Sequence, residues 1–217
     1  MMPLRKKLTA ECVGTFFVVF AGTAAIVVNG EGAVSHVGVA LTFGLVVFAM
    51  IAALGDVSGA HMNPAVTFGF YLAGRLPASS ALPYVICQCL GAVLASIVVK
   101  LLFPADQSLG ATVPSGSAVQ SWVMEMLLTA MLMLVILCVS TGAREKGITA
   151  GLAIGAVVAL EALFAGPVSG ASMNPARSLA PALVSGQLDM VWIYLTAPLA
   201  GAAVAVPLCW YIRDTHG

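Results

Sequence analysis

The chain predicts an all-α membrane protein of six spanning helices and two half-helices, arranged as an inverted repeat. Three observations carry that reading. Of 217 residues, 60% are hydrophobic and 8% charged, with a mean hydropathy of +1.04, whereas soluble domains carry about 25% charged residues. Apolar runs recur that are long enough to cross a hydrocarbon layer of about 30 Å. An octapeptide occurs twice, as Ser58-Gly-Ala-His-Met-Asn-Pro-Ala65 and Ser169-Gly-Ala-Ser-Met-Asn-Pro-Ala176, with seven of eight letters unchanged. One motif used twice implies two half-molecules, about 1–104 and 115–217, within one domain covering 1–217.

Taken in order, the first span covers about 8–29. Arg5, Lys6 and Lys7 precede it, and Glu11 interrupts it early, which favours an uncleaved span over a signal peptide. The second covers about 34–54 and closes near Asp56, a residue suited to loop hydrogen bonding. The first motif follows. Asn63 is a favoured N-cap and Pro64 a favoured first helical residue, because its missing N–H would have had no partner there; Asn63, Pro64 and Ala65 therefore open a helix. That helix covers about 63–74, roughly 15 Å, half the membrane core. Spans three and four cover about 81–103 and 118–140. Glu125 sits near the start of span four as Glu11 does in span one, an offset of 114 against 111 between the two asparagines. Span five, about 147–165, carries Gly151-x-x-x-Gly155, which suits close helix crossings in lipid. Asn174, Pro175 and Ala176 then open a second half-helix at about 174–184, and span six covers about 190–212.

With three full spans per half, the second half enters from the opposite face, as in transporters built from inverted repeats. If the N-terminus is cytoplasmic, Arg5, Lys6, Lys7, Arg75, Arg144, Lys146 and Arg213 all fall on that side, leaving Lys100 and Arg177 elsewhere. The positive-inside rule then places both termini in the cytoplasm and the loops 29–37 and 104–118 outside. Cys12, Cys87, Cys89, Cys138 and Cys209 lie in apolar runs without metal-ligand spacing and read as packing residues.

Set nose to nose at the midplane, the two half-helices direct about half a unit of positive charge each at one point, which repels cations and hydronium. Asn63 and Asn174 can fix the loops through their side-chain acceptors and turn their NH₂ groups to the lumen. Irregular backbone at this depth is tolerated only beside water or inside protein. The arrangement describes a narrow channel for uncharged polar solutes. Net charge is zero, so nothing suggests nucleic acid. The chain holds no phosphate-binding glycine loop and no nucleophile–base–acid set, so neither an enzyme nor a cofactor or metal site is expected. An ion-coupled secondary transporter is the competing class, and a junction protein with a closed pore a third.

The duplicated Asn-Pro-Ala, the paired Glu11 and Glu125, and Arg177 directly after the second motif resemble the aquaporin, or major intrinsic protein, family over nearly the whole chain. The resemblance implies an aquaporin-like bundle of six tilted helices plus two re-entrant half-helices. It also implies one pore per subunit, a homotetramer in a lipid bilayer, and water and small neutral solutes as passengers. It places Arg177, where the first copy has Val66, in an outer selectivity filter with Phe43, Ala162 and Ala171. Strict water channels of the family carry histidine at the position of Ala162, and glycerol channels a second aromatic at that of Ala171; this chain has neither. One aromatic, two alanines and an arginine imply a filter wider than a water-only pore. Ser178 and Ala182 resemble water channels and Tyr194-Leu195 the glycerol or nodulin-like branch, while residues 166–181 read most like the nodulin-like proteins. Glycerol, urea, ammonia and metalloid hydroxides are then the candidate solutes, with a strictly water-selective pore as the alternative. The short chain suggests a prokaryotic inner membrane.

Four further residues carry expectations. Glu161, beside Ala162, either bonds loop backbone as Glu11 and Glu125 do in their halves or shapes the outer pore. His61, just before Met62 and Asn63, is expected to bond locally and offer its carbonyl to the pore. Met62 and Met173 are expected to pack on the half-helices.

Overall fold

The computed structural model describes residues 2–140 and 146–213, which form helices and connecting loops. Six helices are long and apolar enough to cross a membrane: α1 (Leu4–Gly30), α2 (His36–Ser58), α4 (Ala78–Leu102), α5 (Ala118–Val139), α6 (Lys146–Ser169) and α8 (Val191–Arg213). The half-helices are α3 (Pro64–Leu72) and α7 (Pro175–Ser185). Arg144 and the side chain of Lys146, both used above for orientation, lie outside the described residues.

Local chemistry sets the boundaries. Ser35 and Ser117 accept from the backbone N–H of Gly38 and Gln120 at 3.1 Å each, which starts α2 and α5. α2 and α6 run four residues beyond the ends expected from hydropathy, to Ser58 and Ser169. Polarity at Asp56 or a Gly-Pro pair does not stop a helix. The stop comes at Gly59 and Gly170, whose φ of 91° and 88° is left-handed and cheap only without a Cβ.

The bundle packs α1 on α2 and α4, and α5 on α6 and α8, with α2 against α6 joining the two groups. Small residues make the closest crossings. A Cβ on Gly44 would stand 2.5 Å from the Gly155 carbonyl, and one on Gly155 would stand 2.5 Å from that of Gly44. Gly91 meets the Cys12 carbonyl and Gly201 that of Met126 in the same way, so each half has its own glycine contact. The five cysteines are unpaired and lie within these helices. Outward faces are apolar: Leu82, Leu90, Leu94 and Leu101 of α4 are 53–74% exposed. Such a surface is stable in hydrocarbon and not in water, and the chain is a multi-pass membrane protein.

Candidate functional site: a solute pore

Each re-entrant loop hangs on a buried carboxylate. Glu11 on α1 accepts from Ser58 Oγ at 2.7 Å and the His61 N–H at 2.9 Å through Oε1. Its Oε2 accepts from the Met62 N–H at 2.7 Å and Gln88 Nε2 at 2.8 Å. Glu125 on α5 accepts from Ser169 Oγ at 2.8 Å, the Ser172 N–H at 2.9 Å and the Met173 N–H at 2.8 Å. Both glutamates are fully buried, which several charge-assisted hydrogen bonds make tolerable. The loops need this support because Ala60, Met62, Ala171 and Met173 have φ of 42–53°. A left-handed conformation costs an L-residue about 1–2 kcal/mol; here it turns successive N–H groups onto one carboxylate.

Tyr84 and Tyr194 finish the brace, their hydroxyls donating to the Ser58 carbonyl at 2.9 Å and the Ser169 carbonyl at 2.6 Å. Neither tyrosine is part of the motif. Their spacing of 110 residues, close to that of the two asparagines, is the signal that could have found them.

Asn63 Oδ1 accepts from the Ala65 N–H at 2.8 Å, and Asn174 Oδ1 from those of Ala176 and Arg177 at 3.0 and 3.3 Å. Each side chain thus caps its own half-helix. The two amides then cross: Asn63 Nδ2 donates to the Met173 carbonyl at 2.8 Å and Asn174 Nδ2 to the Met62 carbonyl at 2.9 Å. The half-helices therefore meet amino end to amino end. One N–H of each NH₂ group is spent on this joint, so each asparagine keeps one for the lumen rather than the two expected. Met62 and Met173 matter through their carbonyls as well as their buried side chains, a role that spacing does not reveal.

Asn63 and Asn174 line a cavity of about 150 Å³ bounded at one end by Phe43, Ala162, Ala171 and Arg177 and at the other by Ile51, Ile136 and Ser140. Its wall is mostly apolar, and Gly22 leaves the room that the Phe43 ring occupies. Arg177 is 2% exposed. Its Nη1 donates to the Gly110 carbonyl at 2.8 Å, and its guanidinium carbon lies 5.2 Å from the Phe43 ring centre. Nε and Nη2 have no acceptor among the described residues, which leaves two buried nitrogen donors beside an aromatic and two alanines. Gly110 belongs to the loop after α4, where the Asp106 carboxylate accepts from the Ser108 and Leu109 N–H groups at 2.8 and 2.6 Å. Nothing in the motif indicated that this loop holds the arginine.

His61 lines the cavity from the first loop, with Nδ1 3.1 Å from Thr67 Oγ1 and its ring stacked on Phe70 at 4.4 Å. Glu161 is fully buried, and neither of its oxygens has a hydrogen-bond partner among the described residues. It does not bond loop backbone, the first of the two roles expected of it. Ala162 faces the cavity, and the next position is turned about 100° around the helix. Asp56 stands exposed on α2. No group of three or more metal-ligating side chains occurs among the described residues.

A membrane-spanning bundle whose half-helices meet at an apolar-walled cavity, with a few fixed donors facing it, defines a transmembrane channel for small solutes. The chain belongs to the major intrinsic protein family, whose family model matches residues 1–208. It is 48% identical over 218 residues to aquaporin NIP1-1 of Zea mays, covering 99% of this chain and 77% of that one. It is 45% identical to nodulin-26 of Glycine max over 218 residues, covering 99% and 80%. The fold is similar to the X-ray structure of the aquaglyceroporin from Plasmodium falciparum, with a TM-score of 0.87, 24% identity, and 97% and 96% of the two chains covered. The relatives are channels and not enzymes, and this chain is a passive channel.

Proposed function

We propose that this channel passes water together with small uncharged solutes, glycerol first among them, and excludes ions and protons. The single observation that carries the reading is the constriction of Phe43, Ala162, Ala171 and Arg177, in which two guanidinium nitrogens lack partners among the described residues. A hydroxylated solute entering there gives up water on its carbon side to Phe43 and the alanines, and its hydroxyl oxygen accepts from Arg177. Past the constriction, the free N–H of Asn63 and of Asn174 offers the next donors. A cation meets the guanidinium first and then two helix amino ends, each equivalent to about half a positive charge. Urea, ammonia and metalloid hydroxides share the size and neutrality this path selects. The names of the relatives, aquaporin for the plant chains and aquaglyceroporin for the parasite structure, favour the same solutes.

The two halves, about 1–104 and 115–217, read as inverted repeats of one channel domain, supported by the matched braces on Glu11 and Glu125. Arg5, Lys6, Lys7, Arg75 and Arg213 favour cytoplasmic termini in a cell or inner membrane. The apolar outer faces suit a homotetramer in the bilayer.

The test is stopped-flow light scattering of reconstituted vesicles under a glycerol gradient and, separately, an impermeant osmolyte. Fast shrinkage with the osmolyte and prompt re-swelling with glycerol are expected. Fast water with full glycerol reflection would replace this reading with a strictly water-selective pore. A steep temperature dependence with saturation would replace it with an ion-coupled transporter.

A further inference from the structure

The braces of the two loops differ by one donor. In the inner half, Gln88 on α4 lies four residues after Tyr84, and its amide donates to Glu11 at 2.8 Å and to Thr67 at 2.9 Å. In the outer half, the residue four after Tyr194 is Pro198, which has no donor to offer. Glu125 therefore takes three donors where Glu11 takes four.

Glu161 projects from α6 on the flank that suits this gap. Val158 and Ala162 of α6 face the cavity, and Gly155 and Ala159 meet Gly44 of α2. At 100° per residue, position 161 falls on the other side of the cavity-facing strip, toward α5. It is fully buried, both its oxygens lack partners among the described residues, and it interacts electrostatically with Glu125. The other ionisable groups acting on Glu125 are Arg177 on α7 and Tyr194 on α8, and the Tyr194 hydroxyl is already bonded to the Ser169 carbonyl. Two carboxylates buried beside each other cannot both remain ionised without a large Coulombic penalty, and neighbouring carboxyl groups resolve this by sharing a proton.

We propose that Glu161 carries a proton and donates it to Glu125, directly or through one buried water, serving in the outer half as Gln88 serves in the inner half. Glu161 is then a positioning residue. It touches no solute, and it holds the carboxylate that orients Ser172 and Met173, and through them Ala171 and Arg177. The flux arm of the test rests on the solute reading above; the spectroscopic arm does not.

The test uses the full-length protein in lipid vesicles. Infrared difference spectroscopy in H₂O and D₂O is expected to show the C=O stretch of a buried protonated carboxyl in the wild type, lost in Glu161→Gln. Absence of the band from the wild type, or its survival in E161Q, overturns the proposal whatever the flux. An amide restores the fourth donor, so E161Q should keep the glycerol-to-water permeability ratio within about twofold, while E161L, which leaves Glu125 with its other three donors alone, should change it by about fivefold. An unchanged ratio in E161L overturns the positioning role. Should E161L fail to fold, the band and E161Q still decide. Failure of the wild type to pass glycerol would count against the solute reading alone, because the band is read without any flux.

Discussion

The inner loop at 58–63 and the outer loop at 169–174 show how a duplicated scaffold serves an asymmetric task. Both end a long helix at Ser-Gly, both turn two N–H groups onto a buried glutamate through left-handed alanine and methionine, and both are tied by a tyrosine hydroxyl. Around that frame they part. The inner loop carries His61 against Thr67 and ends before Val66. The outer loop places Ser172 where His61 stands, links it to Ser178 at 2.5 Å and Thr112 to Ser178 at 2.7 Å, and ends before Arg177. Support is built twice. Of the two positions after the motifs, only that of the second loop carries a guanidinium, and the Gly110 carbonyl holds it.

If the frames are equivalent, breaking either should cost the same. Glu11→Ala and Glu125→Ala each strand at least three donors, and thermal unfolding in detergent should show losses on the order of 3 kcal/mol or more apiece. A large loss from one and a small loss from the other would mean that the braces differ in kind. The asymmetric part is tested at the constriction. Ala162→His fills the space beside Arg177, and glycerol flux should fall by about tenfold or more while water flux persists, since a change of pocket size discriminates on that scale. Arg177→Val copies the inner loop into the outer one; losing two buried donors should reduce discrimination between glycerol and other small solutes by about tenfold. It should also open a proton leak, read with a pH-sensitive dye inside the vesicles. The smallest effect belongs to the tyrosines. Tyr84→Phe and Tyr194→Phe each remove one hydrogen bond and should cost about 0.6 kcal/mol, with fluxes unchanged.

Much of this is legible in the sequence. Long apolar runs locate spans because hydrocarbon accepts no charge and few polar groups. Asn-Pro locates a half-helix because capping is a contact between neighbours in the chain. Arg177 stood out because an arginine at that depth needs a reason. Hydropathy misplaced the ends of α2 and α6, since it reports solvent preference and not the φ at which Gly59 and Gly170 turn the chain. The sequence leaves two roles open for Glu161, because adjacency to Ala162 along the chain does not say which face of the helix the carboxyl takes, about 100° from its neighbour.

What the sequence by itself determined is the set of elements, their order, the paired loops and the lone arginine, all of which follow from local free energies: transfer to lipid, N-capping, and the conformational freedom of glycine. Only the tertiary structure decided that the asparagine amides cross to the opposite methionine carbonyls, that Gln88 serves Glu11, that Gly110 holds Arg177 and that Glu161 is buried with no hydrogen-bond partner among the described residues. These contacts join residues up to 112 apart. Their partners are chosen by which helix faces the closest glycine crossings bring together, a property of packing that no window along the chain contains.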